Sequence, residues 1–300
     1  MCVIHGYVKN GTGIPVKRSH EMSLAIDKVI RENGGEIWYN SEVTKVIMKD
    51  GKPAGVVING EKEVYGKRFI CNTMPTVAWQ ELFEASEIPE KQLRMVNARK
   101  TAAVLTTVYL GMNKTKEELG VTDYSVFIAP DPDSDKQYAA CKGYGSGYCI
   151  INCLNEILPD CTPKGTCQLF LTTMTFGDVM QDVKPEDYKK FKTKVAKDMI
   201  ETCEKALNMS IQPYIEEIEI ALPPTFARYL NTTWGTPYGY MLEKWDSMLP
   251  RTIQFMQDQP FENFLFCGAS QEQGDGYGCA YHTGEKAADI TIKALKKEEK

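Results

Sequence analysis

Apolar residues recur at helical spacing between Ser19 and Asn33, where Met22, Ala25, Ile26, Val29 and Ile30 share one face. That spacing predicts a helix, with Ser19 as its N-cap and Gly34-Gly35 as its stop. The period then shortens to two. Residues 36–40, 43–49, 54–58, 63–65 and 69–72 are short β-rich runs. Asp50-Gly51 and Asn59-Gly60 lie between them as hairpin signals, because such turns need residues that tolerate positive φ. The reading is a helix followed by a β-meander.

Beyond Pro75 the pattern changes, and a domain boundary is placed near residue 77. A charged helical stretch at 79–99 leads into a strand at 102–110. Buried strands are predicted at 149–154 and 167–175, with loops at 130–135 and 141–147. Tyr188, Phe191, Val195, Met199, Cys203 and Leu207 repeat with a period near 3.6, so 185–208 is an amphipathic helix whose lysines face solvent. Residues 215–221 alternate as a strand does, and Pro223-Pro224 ends it. The closing segment, 262–288, reads as an apolar strand, a glycine-rich turn and a helix from about Cys279.

Composition narrows the classes. A 300-residue chain with 43% hydrophobic content can bury a large core in one or two domains. A net charge of -5, with only short basic clusters such as Lys189-Lys190 and Lys296-Lys297, argues against nucleic acid as a partner. The longest apolar runs are too short for a transmembrane helix, and the opening residues lack the features of a secretory signal, so a cytoplasmic location is expected. Five of the ten cysteines, from Cys141 to Cys167, cluster without a Cys-x-x-Cys pair or an interleaved histidine. Buried free thiols are therefore expected, and no metal site. No Walker loop, Ser-His-Asp order or His-Glu-x-x-His is present to support phosphoryl transfer or hydrolysis.

The candidate chemistry lies at the end of the chain. Gly268, Gly274, Gly276 and Gly278 remove side chains where a ligand would approach the backbone, and the helix that follows offers unpaired N–H groups and a positive dipole end. An electron-rich cofactor is expected there. No Gly-x-Gly-x-x-Gly follows a strand to hold a pyrophosphate. No catalytic residue is assigned: His282 could face a substrate, His5 and His20 lack partners, and Arg228 and Tyr229 could line a pocket. Trp234, Tyr238 and Tyr240 form an aromatic patch suited either to a tunnel or to core packing.

Taken in order, the helix ending in Gly34-Gly35-Glu36-Ile37, the Val43-x-x-Val46-Ile47 strand, the PPTFARY passage from Pro223 and the terminal glycine turn resemble the phytoene desaturase, carotenoid isomerase and retinol saturase group of FAD-dependent oxidoreductases. Members of that group begin with a βαβ unit that would lie before Met1, so the resemblance implies a C-terminal part of such an enzyme. The implied fold is α/β, an incomplete FAD-binding domain of the glutathione-reductase-like type (1–77 and 256–300) around an inserted α+β substrate domain (78–255). By the same resemblance Val43 would meet the adenine, and Gly268 and Ala269 would pass the pyrophosphate and ribityl chain. Gly276, Tyr277, Gly278 and Cys279 would bring the helix N-terminus to the flavin ring. The implied activity is FAD-dependent desaturation, saturation or isomerisation of carbon–carbon bonds in a large apolar, carotenoid- or retinoid-like substrate. A flavin amine oxidase and a non-catalytic ligand- or partner-binding remnant are the alternatives. A segment carrying the absent dinucleotide-binding unit would be a partner.

Overall fold

The computed structural model of the chain describes residues 9, 11, 13–256, 258–272 and 276–300; His5 and Gly274 lie outside the described residues. The chain divides into two compact units, Met1–Glu42 and Val43–Lys300.

In the first unit, α1 spans His20–Glu32. Gly34 takes φ 78° and its N–H bonds the Arg31 carbonyl, while the Gly35 N–H reaches back to that of Ile30 at 2.9 Å. This doubled closure is the glycine stop expected of the sequence. Ser19 holds the N-cap position as expected, but without a capping geometry. Its backbone is already helical and its side chain makes no capping bond. Residues 36–40 form no strand either. A strand exists only when a neighbouring backbone accepts its hydrogen bonds, and alternation alone supplies none. The apolar face of α1 is not buried, with Val29 56% exposed.

The second unit opens with a three-stranded antiparallel meander, β1 Val43–Lys49, β2 Lys52–Ile58 and β3 Lys62–Tyr65. Asp50, Gly51, Asn59 and Gly60 all have positive φ, as the turn signals require. The next strand, β4 Phe69–Cys71, leaves the meander. Helix α2 (Pro75–Glu81) and helix α3 (Glu90–Ala98) follow, so the helical stretch read as continuous is broken at Leu82–Pro89 by a short 3-10 turn.

An antiparallel sheet of order β6-β7-β8-β5-β9 occupies the middle of the unit. It comprises β5 Val104–Met112, β6 Ser125–Ile128, β7 Cys149–Cys153, β8 Cys167–Thr175 and β9 Ile215–Ala221. Between β6 and β7 the loop residues Pro130 to Asp133 give way to α4 (Ser134–Ala140), whose N-terminus is capped by the Asp133 carboxylate. Helix α5 (Tyr188–Leu207) covers one face of the sheet, where Val195, Met199 and Cys203 pack on Val108, Ile151, Leu169 and Leu171. Strands β7 and β8 thus alternate between buried and half-buried positions and are not buried on both sides. Cys149, Cys153, Cys167 and Cys203 lie in this core as free thiols.

After β9 come α6 (Pro223–Leu230), α7 (Met248–Ile253), β10 (Phe264–Phe266) and the last helix, α8 (Gly276–Glu298). β10 pairs with β4 in parallel, Phe264 opposite Phe69 and Phe266 opposite Cys71. Trp79 of α2 packs against Phe83 and Phe266 at ring distances of 4.7 and 5.5 Å, within a core that also takes in Val46 and Phe264. This cluster fixes the end of β10, from which the candidate site departs.

Candidate functional site

β10 is buried throughout, and the chain turns at Gly268 with φ 92°. A side chain there would run into Asn72 Oδ1, so the glycine is required by the close approach of the β4 end as well as by its backbone angle. Gly239, also at positive φ, leaves no room for a Cβ against Ser270 and the Ala269 carbonyl. Loop 268–272 is therefore held between two backbone segments. The hydroxyl of buried Thr283 on α8 accepts the Gly268 N–H at 2.9 Å, and its own proton has the Cys279 carbonyl within reach at 3.1 Å. This one hydroxyl binds the loop to the first turn of the helix.

That first turn begins at Gly276, ahead of the expected start at Cys279. Gly276, Tyr277 and Gly278 are exposed, and a Cβ placed on either glycine would meet nothing within 4 Å. The first-turn N–H groups of a helix have no partner within the helix itself, and its N-terminal end carries partial positive charge. Tyr277 and Tyr281 stack beside it, ring centroids 6.5 Å apart. Thr283 thus links Gly268 to Cys279, with Ala269 next in the loop and Gly276, Tyr277 and Gly278 in the turn before Cys279, whereas Val43 opens β1 opposite Ile58 on a separate sheet.

Glu272 is buried and ion-paired with Lys286, whose ammonium also lies 4.4 Å from the centre of the Phe255 ring. His282 is half exposed, its Nε2 3.8 Å from the same carboxylate. Glu272 Oε2 and Gln271 Nε2, one acceptor and one donor, are buried without a hydrogen-bond partner among the described residues. Burial pushes the neighbouring Cys267 thiol up to about 11, so it stays protonated at neutral pH.

The sequence reading missed the clamp behind this loop. Asp246 receives bidentate bonds from Arg99 (2.8 and 3.0 Å) and from Arg251 (2.9 and 2.6 Å), with all three side chains buried. Burial opposes ionisation of Asp246, but the two guanidinium groups outweigh it and hold the carboxyl below its usual range. The remaining Arg251 N–H groups reach the carbonyls of Tyr240, Met241 and Gln271. Tyr240 itself is core, its hydroxyl bonded to Thr76. Thr101, one residue on from Lys100, bridges to Tyr240 and continues into β5.

An apolar cavity of about 620 Å3 lies at the start of α6, lined by Met180, Val183, Tyr188, Pro223, Ala227 and Trp234 among others. Arg228 and Tyr229, expected at a pocket, are instead exposed on the outer side of that short helix. The aromatic patch is divided: Tyr240 packs inside and Trp234 lines the cavity. Trp234 has φ 59°, a left-handed value uncommon for a bulky residue.

No protein-family model matches the sequence. The chain is 27% identical over 231 residues to the chloroplastic prolycopene isomerase of Daucus carota, covering 77% of this chain and 36% of that protein. It is 23% identical over 300 residues to the all-trans-retinol 13,14-reductase of Danio rerio, covering 89% of this chain and 47% of that one. The chain is related to the carotenoid isomerase and desaturase group. It spans less than half the length of either relative. Among solved structures, a redesigned putrescine oxidase superimposes with a TM-score of 0.58 at 12% identity, covering 93% of this chain and 53% of that one. An oxidoreductase from Methanosarcina mazei gives 0.55 at 16% identity, covering 95% and 58%. These likenesses give the fold alone, a mixed α/β architecture. No helix among the described residues is long and apolar enough to cross a membrane.

Proposed function

We propose that this chain carries the flavin-facing loop and the substrate domain of an FAD-dependent oxidoreductase that desaturates, saturates or isomerises carbon–carbon bonds of a large apolar isoprenoid. Residues 1–77 and 256–300 would serve the cofactor and residues 78–255 the substrate. The observation that carries the reading is the glycine-opened N-terminus of α8, tied through Thr283 to the loop at Gly268.

The residues fit the cofactor. The open space over Gly276 and Gly278 admits a planar ring against the backbone, and the positive helix end favours the negative charge that such a ring develops. The Gln271 donor and the Glu272 acceptor, which have no hydrogen-bond partner among the described residues, suit a hydroxylated chain passing the loop. FAD, when bound, supplies the hydride-transfer chemistry. The protein's part is to orient the apolar chain and exclude water, for which a strong acid or base on the protein is not obligatory. The apolar cavity has no carboxylate among its lining residues, which favours an isoprenoid over an amine.

The test is a titration of the purified chain with FAD, followed by flavin fluorescence and absorbance. Saturation at one FAD per chain is expected, with binding weakened in Gly278→Val, whose side chain would occupy the open space. Absence of saturable binding would overturn the reading for this chain by itself.

A further inference from the structure

Trp234 stands between two cavities. The apolar one at α6 and a second of about 330 Å3, lined by Arg99, Lys100, Thr101, Tyr138 and Met241, share only two lining residues, Trp234 and Gly177. The two residues are in direct apposition. A Cβ on Gly177 would collide with the Trp234 side chain, so the indole sits on the glycine.

The turn around Trp234 is held from both sides. Its left-handed backbone lies in a 3-10 turn closed by Gly235 N–H to Thr232 at 3.0 Å and Thr236 N–H to Thr233 at 3.3 Å. Thr236 is buried and donates its hydroxyl proton to the Ala103 carbonyl at 3.0 Å, anchoring the turn to the approach of β5. Gly235, at φ 78°, is jammed against the Pro223 carbonyl and the Ala227 N–H, with no room for a side chain. A bulky residue in a disfavoured conformation persists only where its surroundings over-determine it. Core packing does not explain the expense here, because 47% of Trp234 remains exposed. What the conformation achieves is the placement of the indole as a wall between the cavities.

We propose that Trp234 is a specificity-determining residue, a stop that limits how much of a linear apolar chain enters the cavity at α6. This rests on the reading of the substrate as a large apolar chain. The volume on the apolar side falls within the range of roughly 300–1,000 Å3 typical of small-molecule sites, and its walls offer a chain few polar partners. Beyond the indole the lining is mixed, with Lys100 and Thr101 beside Tyr138, Phe176 and Met241. Removing the indole would take away the one side chain the two linings share, since Gly177 has none.

The experiment is calorimetric titration of the full chain with geraniol, farnesol and geranylgeraniol, comparing the native protein with Trp234→Gly and Trp234→Phe. Glycine suits the local φ, so the first variant opens the wall while relieving backbone strain, and its thermal midpoint should not fall. In the native protein and in W234F, affinity should rise from geraniol to farnesol and then level off. In W234G it should continue to rise, with geranylgeraniol bound about tenfold more tightly than by the native chain. Identical length profiles in folded W234G and native protein would overturn the proposal, as would failure of every alcohol to bind. FAD titration of the same preparations separates the two readings. Alcohol binding with the stated length dependence but no FAD binding would remove the flavin assignment and leave the stop in place, whereas FAD binding with no change in length profile would remove only the stop.

Discussion

Gly268 shows how a residue legible in the sequence can owe its identity to a cause the sequence does not display. The glycine-rich turn is read there as room for a ligand, yet the atom that forbids a side chain is Asn72 Oδ1. Gly268→Ala is expected to destabilise the protein by about 2–3 kcal/mol, through clash and positive φ together, even with no cofactor present. A fall in the urea midpoint at unchanged m-value would show it. Gly278 is the converse case: nothing among the described residues lies within 4 Å of a Cβ there, so Gly278→Ala should keep stability within about 1 kcal/mol and lose ligand binding instead, whereas Gly276, at φ 64°, would strain any side chain. Asp246 left no trace in the sequence reading: one of its two partners, Arg251, is five residues on, but the other, Arg99, is 147 positions away, and only the fold brings all three together. Asp246→Ala strands two buried guanidinium groups and should cost about 3–5 kcal/mol. The carboxyl is held below its ordinary value of 3.8 in the folded state, so its contribution is fully present above that pH and is lost as pH falls through the lower folded-state value. Denaturant unfolding near pH 7 and near pH 3 should accordingly show the gap between native and D246A protein narrowing in acid.

Elements whose signal is local were legible and those defined by a partner were not. β9 lies where alternation places it, β8 spans the run read as a strand, and α5 ends at Asn208 in a left-handed conformation one residue beyond the last apolar repeat. The run at 36–40 has the composition of a strand but no ladder, and the run at 69–72 is a strand whose ladder is with β10, far along the chain, not with the meander. Helix α1 makes the same point from its side chains. Its apolar stripe was read as a stripe, but Ile26, Val29 and Ile30 are 43, 56 and 37% exposed. Such a surface favours association. Replacing these three residues with serine is expected to reduce the apparent mass by light scattering at high protein concentration while shifting the melting temperature by only a few degrees, and an unchanged mass distribution would count against the stripe as the adhesive surface.

At the scale of the whole molecule, the second unit combines a self-contained antiparallel sheet with a parallel pair assembled from distant segments, and the proposed cofactor loop hangs from the latter. Binding to that loop should therefore stabilise the long-range assembly more than the sheet. At about one hundred times its dissociation constant, FAD should add about 2.7 kcal/mol to global stability, and thermal scans at rising FAD concentration should climb accordingly. A melting temperature independent of FAD would contradict specific binding to the folded chain. The parallel pair also dictates an order of events during synthesis. Arg68 at the edge of β4 bonds to the Glu262 carbonyl, 194 positions later, so β4 emerges from the ribosome long before its only ladder partner among the described residues exists. The strands from β5 to β9 can close on one another in the meantime, since all their pairings are internal to Val104–Ala221. Until residues 264–266 have been made, Phe69 lacks the Phe264 ring against which it stacks in the finished pair, so this contact forms late and at long range.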